Sequence, residues 1–167
     1  LTFTNKAARE MKERIAAQVG DERASCLWMG TFHSIFARIL RREAQFIGYD
    51  SRFTIYDQSD SVSLVKTIIK EMGLDEKTYV AKNVAARISH AKECLMVPAV
   101  YRNDRGEMEA ATRERMPQLA QVYEHYQQRL RQSNAMDFDD LLLNTYLLFR
   151  DHEDVRQSYV QRFQYIL

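Results

Sequence analysis

Apolar positions along this chain recur mostly at three- and four-residue intervals, the spacing that places side chains on one face of a helix. The exceptions are short. Leu1 to Thr4 is apolar and β-branched without a helical gap, which predicts a strand, and Asn5 follows as an N-cap. Ala7, Ala8, Met11, Ile15 and Val19 then mark a helix that Gly20 stops. Ala24 to Phe32 reads as a second strand, with Trp28 and Met29 in or near the core. A helix is expected from about Ser34 to Phe46 on the stripe Ile35, Phe36, Ile39 and Leu40, closed by Gly48. Phe53 to Tyr56 predicts a short strand, and a helix from Asp60 carries Val65, Ile68, Ile69 and Met72 up to Gly73. After Asn83, a further helix places Val84, Ile88, Ala91 and Leu95 inward before Pro98 ends it. Charge and Gly106 make Asn103 to Thr112 an expected mobile loop. The pattern then predicts a long helix from near Arg113 to Arg131, two more over Met136 to Arg150 and Glu153 to Phe163, and a final strand ending at Leu167.

A chain of 167 residues with 46% hydrophobic residues can bury one ordinary core or two small ones. The net charge of +1 gives no general argument for a polyanion partner. Local clusters say more, since Arg38, Arg41 and Arg42 fall within about one turn and Arg129 and Arg131 close a later helix. Such groups form either a solvated face or a phosphate-binding one. Cys26 and Cys94 lie in different elements without C-x-x-C spacing, which points to reduced thiols and a cytoplasmic setting and away from a zinc site. No apolar run has the length of a membrane span.

The candidate chemistry sits where the first strand turns into the first helix. If Leu1 to Thr4 is part of an α/β sheet, then Phe3, Thr4, Asn5 and Lys6 stand at the carboxyl end of a strand, where such sheets bind ligands. A ring beside small polar groups and a cation suits single-stranded nucleic acid, because bases stack on the ring while polar groups hold phosphate. A buried Phe with an ordinary helix cap satisfies the same four residues. Asp139 and Asp140 invite a metal or acid–base reading, but neighbours on a helix point about 100° apart. They read better as first-turn carboxylates, with Asp137 as the cap.

The run TFTNKAAREMKERI resembles motif Ia of the superfamily 1 DNA helicases of the UvrD, Rep and PcrA type. Further matches follow in that family's order. Gly30-Thr31-Phe32-His33-Ser34 with Arg38 to Arg42 resembles its next DNA-contacting motif, and Phe53 to Asp57 resembles the strand entering its helical insertion. Met136-Asp137-Phe138-Asp139-Asp140-Leu141-Leu142 is similar to the return segment, and Arg162 to Leu167 to the strand that carries the Walker B carboxylates. The combination spans essentially the whole chain.

This resemblance implies a mainly α fold with a small α/β portion: an incomplete RecA-like (P-loop NTPase) domain in residues 1–50 and 134–167, interrupted by an all-helical insertion over 51–133. It implies DNA contacts at Phe3, Thr4, Asn5, Thr31, Phe32, His33 and Arg38. Phe138 would lie beside the DNA path, and Lys77 and Lys92 would face duplex DNA ahead of the fork. The implied partners are single-stranded DNA and single-strand/duplex junctions, with no membrane and with the remaining helicase domains outside this chain. The implied parent is an ATP-dependent 3′ to 5′ DNA helicase of repair or replication that uses ATP and Mg2+. The pattern G-x-x-x-x-G-K-S/T occurs nowhere in the chain, and the Walker B carboxylates would follow Leu167. No catalytic, cofactor-binding or metal residue is therefore assigned, and the fragment is expected to be inactive alone. A helical protein-interaction module, or an inactive remnant without DNA affinity, remains the alternative.

Overall fold

The computed structural model describes residues 1–166. Its element order is α1 (Asn5–Val19), α2 (Asp21–Ser25), α3 (Phe32–Arg42), β1 (Thr54–Ile55), α4 (Gln58–Glu71), α5 (Ala81–Glu93), α6 (Pro98–Asn103), α7 (Arg105–Arg113), α8 (Leu119–Gln132), β2 (Ala135–Met136), α9 (Phe138–Asp151) and α10 (Glu153–Arg162). The fold is mainly α, with one two-stranded parallel sheet in which Thr54 pairs with Ala135 and Ile55 with Met136. Two compact units are present. One comprises Leu1–Ser51 and the residues from Asn144 onward, the other Arg52–Leu143.

In the first unit the expected opening strand shrinks to a single parallel bridge between Thr2 and Thr31. Thr2 donates to the Gly30 carbonyl at 3.2 Å and its own carbonyl accepts from Phe32 at 3.3 Å. Thr4, not Asn5, caps α1, its hydroxyl oxygen accepting from the Ala7 amide at 3.2 Å. The expected strand over Ala24–Phe32 is replaced at its start by α2, because Asp21 and Glu22 directly after Gly20 place carboxylates at a helix N-terminus. Gly20 does end α1, at φ 86°, a value only glycine adopts without strain. α3 stops at Arg42 and a 3-10 turn over Ala44–Ile47 leads to Gly48 in the left-handed region. Arg162 closes α10, and residues 163–166 form no strand. The remainder of that expected strand, Leu167, lies outside the described residues.

The second unit holds a continuous apolar core. Val65, Ile68 and Ile69 of α4 meet Val84, Ile88 and Ala91 of α5 and the inward row Leu119, Val122, Tyr123, Tyr126 and Leu130 of α8. α8 packs against α4 and α6. α4 starts with a reciprocal capping box: Asp57 accepts from the Asp60 amide at 2.9 Å, and Asp60 accepts from the Asp57 amide at 3.1 Å. Three expectations change here. Asn103–Thr112 is not a loop, because Asp104 caps α7 through the Glu107 amide at 2.9 Å and Ala111 is buried. The long helix expected from Arg113 is broken at Arg115, which takes φ 61° just before Pro117. Met136 is a strand residue, and the helix behind it begins at Phe138.

Arg87 knits this unit together from α5, donating to Glu107 at 2.8 Å, to Glu114 at 3.2 Å and to the Tyr101 hydroxyl at 3.5 Å. The Tyr101 bond is the largest influence on the guanidinium, which sits above its ordinary pKa despite partial burial.

Candidate nucleic-acid interface

The expected contact residues of the first unit are brought together by the Thr2–Thr31 bridge. From neighbouring points on it, α1 starts behind Thr4 and α3 behind Thr31, whose hydroxyl oxygen accepts from the Ser34 amide at 3.2 Å. Neither helix carries an acidic residue in its first turn, so both positive N-terminal ends remain uncompensated by side-chain carboxylates. Such ends attract phosphate through backbone N–H groups and dipole together.

Phe3 projects from this point with 88% of its surface exposed, a large apolar area left in water. Its ring lies 5.3 Å from that of Phe32, and Phe32 lies 6.2 Å from Phe36. The three rings form a row leading away from a polar tip. Asn5 is exposed on the first turn of α1, and His33 is half-buried on the first turn of α3. Thr31 is buried, so its role is to position α3. Gly30 leaves room at the same turn: a Cβ there would fall 2.4 Å from Ser34 Oγ and displace that hydroxyl from its 2.8 Å bond to the Thr31 carbonyl.

Arg38 lies one face of α3 further on, its guanidinium carbon 4.1 Å from the centre of the Trp28 ring. Arg162 approaches the same ring at 5.1 Å, while Phe163 meets it edge-on at 5.1 Å. Stacking uses the face of a guanidinium and leaves its N–H edges free to bond, which makes a stacked arginine an ordered phosphate ligand. Tyr159 backs this cluster. Its hydroxyl donates to Glu43 at 2.9 Å, and burial together with that carboxylate pushes the phenol up to about 12.

In the second unit the expected residues do not converge. Lys77 is exposed on the turn between α4 and α5, where its amide donates to Asp75 at 3.3 Å. Lys92 corrects the expectation of a surface cation facing duplex DNA, because it is only 1% exposed. Its ammonium lies 2.6 Å from Asp137 Oδ2 and 2.8 Å from Asp140 Oδ1. The reason is helical register: Lys92 follows Ile88 by four residues and Val84 by eight, which puts it on the inward stripe of α5. Burial pulls this ammonium down, but Asp140 and Asp137 outweigh it and hold the pKa above the ordinary lysine value.

Asp137 caps α9 as the sequence suggests, accepting from the Asp140 amide at 2.8 Å, and Asp140 returns the bond to the Asp137 amide at 3.2 Å. Tyr126 donates to Asp137 Oδ2 at 2.9 Å, and Gln127 to Asp140 Oδ1 at 3.0 Å. Burial opposes ionisation of Asp137, yet Lys92 and the capping amide keep it below the usual carboxylate range. Asp140, fully buried, goes the other way to about 6: burial dominates, Lys92 counters it, and the Asp137 charge adds to it. Phe138 is half-exposed on the first turn of α9 and lines a cleft of about 360 Å3 with acidic walls.

Two features escape the sequence reading. The Trp28–Arg38 stack joins residues of two elements, so no local pattern announces it. The Lys92 cluster did leave a trace, in a lysine on an apolar stripe and an Asp pair spaced three apart at a helix start.

A model of the UvrD/REP helicase N-terminal domain family matches residues 1–167, and the chain belongs to that family. Among similar proteins, the ATP-dependent DNA helicase PcrA of Staphylococcus aureus is 42% identical over 166 residues, covering 99% of this chain and 22% of that protein. PcrA of Leuconostoc citreum is 40% identical over 166 residues, or 99% of this chain and 21% of that relative. The ATP-dependent DNA helicase UvrD1 of Mycobacterium leprae is 41% identical over 169 residues, 100% of this chain and 21% of that protein. The chain thus spans about a fifth of the length of the curated relatives it matches. Among the described residues, no helix is long and apolar enough to cross a membrane.

Proposed function

We propose that this chain is part of an ATP-dependent DNA helicase and supplies a stretch of its single-strand track. The observation that carries this is Phe3, almost fully exposed beside the start of two helices whose first turns hold no carboxylate. A base stacks on Phe3, Asn5 and the Thr4 hydroxyl hold the adjoining phosphate, and His33 with the edge of Arg38 extends the polar line. Phe32 backs the stacking ring. Stacking of this kind is typically worth about 1 to 3 kcal/mol per base and tolerates any sequence, as a translocating motor needs.

The finer reading goes beyond the family match and is part of the same proposal. The parent moves 3′ to 5′ in repair or replication and acts in the cytoplasm at single-strand/duplex junctions, with residues 1–50 and 134–167 as a partial RecA-like domain and 51–133 as a helical insertion. Lys77 is the one basic site of the insertion retained for duplex contact. Phe138, half-exposed on the first turn of α9, is kept as a further contact for the strand. ATP and Mg2+ belong to the parent. The phosphate-cradling pattern G-x-x-x-x-G-K-S/T does not occur in this sequence. No step of ATP chemistry is placed on this chain.

Fluorescence anisotropy of a labelled oligothymidine titrated with the chain tests the reading. Binding that weakens as salt rises and drops about tenfold in Phe3→Ala supports it. An affinity unchanged by that substitution overturns it.

A further inference from the structure

The helix start that carries Phe138 is held by more bonds than a cap needs. Asp137 Oδ1 accepts from the Asp140 amide at 2.8 Å, and the Asp137 amide donates to Asp140 Oδ2 at 3.2 Å. The same reciprocal box opens α4, where Asp57 and Asp60 form it at exposed positions. Capping alone therefore does not call for buried charge. At α9 the other oxygens are spent on distant elements: Asp137 Oδ2 accepts from Lys92 at 2.6 Å and from Tyr126 at 2.9 Å, while Asp140 Oδ1 meets Lys92 at 2.8 Å and Gln127 at 3.0 Å. Just before the cap, buried Met136 pairs with Ile55 of β1. Phe138 thus follows directly on a residue tied to both α5 and α8.

We propose that Lys92 is a positioning residue for the single-strand contact at Phe138, a tie from α5 that sets where the half-exposed ring stands. The proposal rests on the strand-track reading above and names what holds one of its contacts. A buried ion pair adds little stability over apolar side chains of the same volume, so stability does not account for burying a lysine with two carboxylates. What the arrangement confers is a single geometry. Any shift of the start of α9 would part the Lys92 ammonium from Asp137 and Asp140 at a buried site, where the separated charges are costly.

The place of Lys92 on α5 gives the tie a second consequence. Within the preceding turn, Ser89 and His90 line a cleft of about 360 Å3 whose other walls include Tyr56, Phe138 and Asp139. The ammonium therefore links the helix of one wall to the helix start of the other and sets the spacing between them. A binding group works only when its neighbours hold it to within about 0.5 Å of the productive place, and a ring on the first turn of a helix moves with that turn. Lys92 is 1% exposed, so it touches no nucleotide itself and acts through Phe138.

The test is a double-mutant cycle on the full chain, read as anisotropy of a labelled oligothymidine. Lys92→Met and Phe138→Ala should each weaken binding about fivefold, and the double variant should bind no more weakly than Phe138→Ala alone. A merely structural role gives a different result. Partial unfolding lowers apparent affinity by the same factor in either background, so a double variant weakened about 25-fold overturns the proposal. In a Phe3→Ala background, by contrast, the loss from Lys92→Met should persist in full. Binding unchanged by Phe138→Ala also overturns the proposal, yet leaves the track reading standing if Phe3→Ala still weakens binding. Absence of saturable binding in the original chain overturns both. Should Lys92→Met lose its native circular dichroism, Asp137→Asn takes its place in the cycle: it keeps an oxygen for the Asp140 amide and removes the charge that faces Lys92, and the same non-additivity with Phe138→Ala is expected.

Discussion

Lys92 Nζ and Asp137 Oδ2 meet at 2.6 Å across 45 residues of sequence, joining the end of α5 to the residue that caps α9. Both are buried, so the pair is held by mutual charge and by the bonds from Tyr126 and the Asp140 amide, with little help from water. A buried pair of this kind adds modest net stability but makes either partner expensive to remove. Lys92→Met should therefore destabilise the chain by about 3 to 5 kcal/mol, since two carboxylates would lose the cation that lies against both. Urea unfolding at neutral pH measures it, and a loss below about 1 kcal/mol would contradict the buried-pair account.

Asp140 gives the cluster a pH dependence of definite sign. Its carboxyl is raised in the folded chain to about 6 from 3.8, so between those values the folded state holds a proton that the unfolded state has released. Stability from this group is complete below about pH 4 and falls as pH rises through about 6. Asp140→Asn abolishes the titration and keeps an oxygen for the Asp137 amide. The difference in unfolding free energy between the original chain and this variant should shift in favour of the variant, by on the order of 3 kcal/mol, from pH 4 to pH 7. The lowered carboxylate Asp137 has its own window at more acid pH, where stability is instead lost as pH falls, so the paired comparison isolates Asp140. A constant difference across the range would refute the assignment.

The helical order of this fold is legible in the sequence because stripes such as Val65, Ile68 and Ile69, or Leu119, Val122 and Tyr126, repeat at the helical period. What the period cannot say is where backbone pairing stops. Leu1 to Thr4 has strand-like side chains, yet a strand needs a neighbour along its length, and Thr31 supplies one for Thr2 alone. Asn103–Thr112 looks too charged for a helix, but Asp104 caps it and Arg87 reaches Glu107 and Glu114 from α5, a tertiary bond that no local window contains. Lys92 fails for the opposite reason. Its type says surface while its register says core, and the register prevails because two distant carboxylates compensate the charge.

Two helix ends carry strain that a single substitution should relieve. Leu95 has φ 58° and Arg115 has φ 61°, each just past a helix whose following amide bonds back: Met96 to the Ala91 carbonyl at 2.9 Å and Met116 to the Ala111 carbonyl at 2.7 Å. Glycine adopts this left-handed conformation without the Cβ penalty of about 1 kcal/mol. Arg115 is exposed, so Arg115→Gly should raise stability by roughly 0.5 to 1 kcal/mol, seen as a higher midpoint in thermal unfolding. Leu95→Gly should gain less, because Leu95 is 43% exposed and gives up some apolar contact. A lower midpoint for Arg115→Gly would show that this turn is not strained.

Arg38 separates packing from phosphate binding. Its guanidinium lies over Trp28 at 4.1 Å, so Arg38→Met keeps an apolar stem near the ring but removes both the cation–π attraction and the N–H edges. Stability should fall by only about 0.5 to 1 kcal/mol, the value of such a stack at an exposed site. If the edges of Arg38 hold phosphate, the slope of log affinity for oligothymidine against log salt should become shallower by about 0.7, one phosphate contact fewer on a single strand. Arg38→Lys keeps the charge and loses the planar stack, so it should restore most of that slope while leaving the stability loss in place. An unchanged slope in Arg38→Met would assign Arg38 to the Trp28 cluster alone and confine the single-strand contact to the Phe3 tip.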